Sequence, residues 1–104
     1  MKISVNKEEF NVGVANTFKK RLLGLMGKKN IKKGLYFPKT NSIHTFFMKE
    51  PIDIIMINKE NSVVYVKKNL KKNRILIKKK AHNTIELPHN SIKNININDK
   101  LTIS

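Results

Sequence analysis

One acid stands among isoleucines in Ile52-Asp-Ile-Ile-Met-Ile57. A run that is apolar at every other position belongs to a strand covered on both faces. A carboxylate there is expensive unless it is paired or hydrogen-bonded. Asp53 is therefore the first residue whose place demands a partner. Arg21 is the second. It lies beside the apolar face made by Phe18, Leu22, Leu25 and Met26, spaced at i, i+4, i+7 and i+8. A bidentate Arg21–Asp53 pair would satisfy both groups. Such a pair is either part of a small polar pocket that orients an anionic or zwitterionic ligand or a buried ion pair fixing a helix on a sheet.

Other reactive groups are sparse. Met26, Met48 and Met56 could offer thioethers to copper(I), but at core spacing methionine fills gaps. His44, His82 and His89 are the only histidines. His82 and Glu86 share a strand face by their even separation, while His89 lies beyond Pro88 in a turn. No Ser–His–Asp order, zincin helix, phosphate loop or dinucleotide fingerprint is present. The expectation is a non-enzymatic protein with no metal and no cofactor.

The elements that must position Asp53 are short. The central stretch, residues 43–57, reads as two strands joined at Glu50-Pro51 that together form the centre of the core. Before it, Ile3 and Val5, then Phe10, Val12 and Val14, alternate with polar residues around a four-residue loop, Asn6-Lys-Glu-Glu9. Gly13 marks a bulge or a close backbone approach. Asn16-Thr17 caps a helix over about residues 17–26, ended by Gly27. Gly34-Leu-Tyr-Phe37 is a short strand. Residues 52–66 form a second hairpin. Leu70, Ile75 and Ile77 anchor a lysine-flanked edge strand. Residues 83–87 form another strand, Ile92, Ile95 and Ile97 bury intermittently, and residues 100–103 close the sheet. Many short strands with regular turns argue for a mainly β protein, a compact sandwich or barrel carrying one short α-helix.

At 104 residues the chain makes one domain, residues 1–104, with a real core. It has no cysteine, so disulfides and thiolate metal sites are excluded. Its longest purely apolar run, Ile54 to Ile57, is far too short for a membrane span. Met1-Lys-Ile-Ser-Val5 lacks an apolar export region, so a cytoplasmic protein is expected. The net charge is +15, from 20 Lys and 2 Arg against 7 acids. That balance favours polyanions such as nucleic acid or an anionic membrane surface. It also follows from AT-rich codons, since Ile and Asn each occur 14 times.

Several stretches together resemble the domain of unknown function 192 family. They are Val14-Ala-Asn-Thr17, Arg21-Leu-Leu-Gly-Leu-Met26, Gly34-Leu-Tyr-Phe37, Phe46-Phe-Met-Lys49, Pro51-Ile-Asp-Ile54, Val63-Val64, Ile85-Glu-Leu87 and Asp99-Lys-Leu101. The resemblance implies a compact, mostly β fold with no established activity. It adds Lys49 and Glu86 to Arg21 and Asp53 as matching motif positions. The chain departs from the family pattern where Phe47 replaces a tryptophan and where the segment before Pro51 is about three residues shorter. Asn90 and Asn98 replace turn glycines, and asparagine tolerates the left-handed backbone next best.

Three functions follow as expectations. The first is a non-enzymatic module binding a small ligand or a partner through a polar cluster of Arg21, Lys49, Asp53 and Glu86. The second is a polyanion-binding surface made by Lys67, Lys68, Lys71, Lys72, Arg74, Lys78, Lys79 and Lys80, joined by the basic residues of 28–33. The third, with less support, is a small hydrolase-like enzyme using Asp53 or Glu86 as a base.

Overall fold

The computed structural model describes residues 1–15, 33–46 and 48–104. The helix expected over residues 17–26 lies outside them, as does Arg21. Nine strands are described: β1 (Lys2–Val5), β2 (Glu8–Val14), β3 (Gly34–Phe37), β4 (Ser42–His44), β5 (Ile52–Ile57), β6 (Val63–Leu70), β7 (Ile75–Ile77), β8 (Asn83–Pro88) and β9 (Thr102–Ile103). Seven form one sheet in the order β6-β5-β8-β3-β2-β1-β9, and β4 and β7 form a separate two-stranded ribbon. The β2–β3 pair is parallel and all other pairs are antiparallel. The mainly β architecture is as the sequence predicts.

The sheet curls until its edges meet. Val63 N–H donates to the Asp99 carbonyl, Asn98 N–H to the Val63 carbonyl and Leu101 N–H to the Asn61 carbonyl, each at 2.8 Å. A Ser62–Lys100 bridge completes the seam. These bonds tie the start of β6 to the segment entering β9, so neither edge is left wholly open.

Strand alternation divides the apolar residues between two cores. Ile55 and Ile57 of β5 join Ile85 and Leu87 of β8, Tyr36, Val12 and Ile3 in the first. Ile52, Ile54 and Met56 face the other way and pack with Ile43, Met48, Leu70 and Ala81 in the second. All six residues of β5 are buried, as the unbroken apolar run requires.

Local expectations fare unevenly. The first hairpin turns on two residues, Asn6 and Lys7, both with positive φ (51° and 69°), because that geometry matches strand twist. Glu8 and Glu9 therefore belong to β2. Asn90 and Asn98 adopt φ of 64° and 79°, the left-handed turns expected of them. β4 and β5 do not pair with each other. Thr45 ends β4 by bonding the turn after β6: its N–H donates to the Arg74 carbonyl at 2.9 Å and its hydroxyl to the Lys71 carbonyl at 2.7 Å. β4 thus pairs with β7. Ile75 and Ile77 are not anchors. Leu76 alone packs inward from β7, while Ile75 and Ile77 are 65% and 61% exposed. Ile97 also faces outward, beside buried Ile92 and Ile95.

Close approach explains one glycine. A Cβ at Gly34 would collide with the Glu86 carbonyl and the Leu87 side chain. Gly34→Ala should therefore lower stability by roughly 1–3 kcal/mol in a denaturant titration. Tyr36 supplies a pH signature, since burial raises its phenol above the ordinary value of 10.0. As pH climbs past that value the unfolded chain loses this proton first. Stability should then fall by at most about 1.4 kcal/mol per pH unit, until the folded phenol also ionises. Stability measurements against pH should show this alkaline loss, and Tyr36→Phe should reduce it.

Candidate functional site

Asp53 is fully buried and sits opposite Leu87, on the face of the first core. Its backbone neighbours explain how it is held. Ile52 pairs with Leu70 and Ile54 with Lys67, so β6 carries one extra residue opposite Asp53. Asn69 lies in this bulge at φ 54°, a conformation asparagine accepts readily. Asp53 Oδ1 accepts the Asn69 N–H at 2.9 Å. Oδ2 accepts the N–H groups of Ser91 and Ile92, each at 2.9 Å. Three main-chain donors meet the carboxylate, with charge-assisted bonds that offset its desolvation. Among the described residues, what Asp53 meets is main chain rather than a cation.

Glu86 is buried as well, but on the other side of the sheet. It pairs with Ile54 and Leu35, residues of the second core. Side chains directly opposite in a ladder share a face, so the sheet separates Glu86 from Asp53. The two acids, grouped in the expectation from sequence, thus leave the sheet on opposite faces. Alternation alone would have shown this once β5 and β8 were known to be neighbours.

Lys49 is exposed and lines a cleft of about 270 Å³ with Glu50, Pro51, Lys71 and Lys72. The topology creates this place. Because Ile52 pairs with Leu70, residues 49–51 enter β5 beside residues 71–72 leaving β6. Three lysines thus line one opening. Glu50 is the carboxylate of the lining, and one of its oxygens lies 3.2 Å from His89 Nε2. Sequence spacing did not reveal Glu50 and Pro51 as lining residues, nor that Lys49 belongs with Lys71 and Lys72. The long-range Ile52–Leu70 pairing is the missing signal.

The remaining expectations find plain surroundings. Met48 and Met56 pack in the second core with isoleucines and leucine, and Met26 lies outside the described residues. No group of three His, Asp or Glu able to hold a metal occurs among the described residues. His44 stacks on Phe46 with ring centroids 5.3 Å apart. His82 lies just before β8, where its N–H donates to the Ile57 carbonyl at 2.7 Å. No described helix is long and apolar enough to cross a membrane.

A small curled sheet latched by a buried acid, with a lysine cleft at one end, defines the class. The chain belongs to the DUF192 family, described as an uncharacterized ACR, whose profile it matches over residues 1–103. It is 36% identical over 99 residues to UPF0127 protein TK1120 of Thermococcus kodakarensis, covering 89% of this chain and 63% of that protein's length. Two crystal structures share the fold. A Novosphingobium aromaticivorans protein of unknown function aligns with TM-score 0.78 at 18% identity, over 99% of this chain and 84% of that one. A Sinorhizobium meliloti protein, provisionally described as a transcription regulator, aligns with TM-score 0.82 at 16% identity, over 97% and 89%.

Removing the carboxylate should test the latch. Asp53→Ala leaves three N–H donors without their acceptor, that of Ile92 buried and those of Asn69 and Ser91 part-buried, at up to roughly 1–3 kcal/mol each. Denaturant titration should show a loss of about 3 kcal/mol or more, with faster amide exchange at Asn69, Ser91 and Ile92. Asp53→Asn should lose less, since one carbonyl oxygen still accepts.

Proposed function

We propose that the chain is a non-enzymatic module that binds a small anionic ligand in the cleft of Lys49, Lys71 and Lys72. The observation that carries this reading is that three lysines line one opening of about 270 Å³ where residues 49–51 enter β5 beside residues 71–72. Ammonium groups are compact point charges suited to phosphate or carboxylate oxygens. Arg21 stays in the proposal as a further cation of the ligand site, from outside the described residues. Asp53 enters it as the residue that holds the hairpin end in place. Glu86 does so as a support beneath the second core. Both oxygens of Asp53 already accept hydrogen bonds. That arrangement favours binding over base catalysis, because a general base must reach a substrate proton.

A second reading has its own observation. The residues from 61 to 85 contain no acid, and 67–80 carry eight cations. The described contacts include a single lysine–carboxylate pair, Lys2 with Glu9 at 3.1 Å. A polyanion such as nucleic acid could therefore follow the unneutralised charge of Lys67 to Lys80.

Calorimetry with inorganic pyrophosphate separates these readings. The cleft should bind it, and Lys71→Glu/Lys72→Glu should weaken binding at least about tenfold, roughly 1.4 kcal/mol. No heat from pyrophosphate, together with oligonucleotide binding that falls steeply with salt, would transfer the function to the extended surface.

A further inference from the structure

The β4–β7 ribbon presents one face to the second core and one to solvent. Its register pairs Ser42 with Ile77, Ile43 with Leu76 and His44 with Ile75. Ile43 and Leu76 pack inward. Alternation therefore sends His44, Ile75 and Ile77 outward. Ile75 and Ile77 are 65% and 61% exposed, and neighbouring Phe46 is 38% exposed. Two aliphatic side chains and an aromatic ring so placed are unusual on a surface this rich in lysine, and they call for an occupant.

The charge around them says which occupant. Arg74 precedes Ile75 directly, and Lys79 and Lys80 follow Ile77 within three residues; all three cations are exposed. Lys71 and Lys72 lie just before them on the turn that Thr45 binds. Lys78 is already engaged, its ammonium 4.3 Å from the centroid of the Tyr65 ring. A nucleic acid would use the cations and could stack on Phe46, but it gains little from isoleucines. An anionic bilayer uses every part. Its headgroups attract basic side chains, and its interface accepts shallow aliphatic and aromatic groups.

We propose that the outer face of this ribbon docks the protein on an anionic lipid bilayer, with Ile75, Ile77 and Phe46 entering the interface and Arg74, Lys79 and Lys80 meeting the headgroups. The docking is peripheral and shallow. It can be tested apart from the ligand cleft, because Ile75, Ile77 and Phe46 do not line that opening.

The chain contains no tryptophan, so Ile75→Trp gives a single reporter. Mixed with vesicles of phosphatidylcholine and phosphatidylglycerol, this variant should emit at shorter wavelength and be quenched by brominated acyl chains. Pure phosphatidylcholine vesicles should leave it unchanged. In flotation, Ile75→Ser/Ile77→Ser should partition onto the anionic vesicles at least about tenfold less than the native chain. Both substitutions point outward, and a circular dichroism spectrum matching the native one establishes that the variant is folded; should it unfold, the reporter decides alone. The proposal is overturned if the reporter's emission stays fixed on anionic vesicles. It is equally overturned if a folded double variant floats as well as the native chain. Binding to a single-stranded oligonucleotide with no vesicle binding would assign the surface to nucleic acid instead.

Discussion

The carboxylate of Asp53 is the constraint on which the other parts depend. It gathers two segments that share no ladder: the bulge at Asn69 and the chain leaving β8, where Ser91 ends a turn and Ile92 enters the first core. An apolar residue at position 53 would pack well enough, yet the three N–H donors would then lose the acceptor they share. Each orphaned donor costs more than a typical net hydrogen bond contributes. The acid is therefore tolerated in β5 because the bulge and the turn need an acceptor there. In return, the bulge fixes where β6 ends, and with it the position of Lys71 and Lys72.

The same economy runs through the other acids. Glu8 accepts the N–H groups of Lys93 and Asn94 at 2.9 and 2.7 Å. Asp99 accepts the Asn96 N–H at 2.8 Å. With Asp53, three of the seven acids serve main-chain donors along residues 91–96, a stretch outside any described strand. Irregular chain cannot satisfy its own N–H groups through a ladder, so it needs such acceptors. An acid bonded to amides in this way is placed for the backbone, not for a lysine ammonium. The large positive charge thus stays on the surface, where it repels like charge and attracts anions.

This division explains what the sequence disclosed and what it hid. Asp53 was recognisable as a residue in need of partners, since an acid amid isoleucines is costly wherever the strand lies. Its partners were not recognisable, because Ser91 and Ile92 are 38 and 39 residues away and backbone donors leave no mark in side-chain identity. β5 was legible from its unbroken apolar run. The asparagine turns at Asn90 and Asn98 were legible from the residue's tolerance of positive φ. The partner of β4 was not legible, because apolar composition says nothing about which neighbour a strand takes. Thr45, a single hydroxyl bonded into the turn after β6, diverts it to β7. Hydrophobicity alone predicts Ile75 and Ile77 as anchors, whereas the ladder places the intervening Leu76 inside.

Thr45 also links the cleft to the ribbon. Besides donating to Lys71, its hydroxyl accepts the Arg74 N–H at 2.8 Å, and its carbonyl accepts the Asn73 N–H at 3.1 Å. Asn73 holds φ of 63° in the same turn. A buried hydroxyl satisfied on both sides makes this turn stiff, since any displacement would leave polar atoms unpaired in a low-dielectric interior. Lys71 and Lys72 therefore project from a pinned backbone even though their side chains are free to move. An anion arriving at the cleft need order only those side chains and not the loop that bears them, which lowers the entropic cost of binding. The fixed turn also sets how far the outward face of β7 stands from the cleft, because Arg74 and Lys71 are bonded to the same hydroxyl.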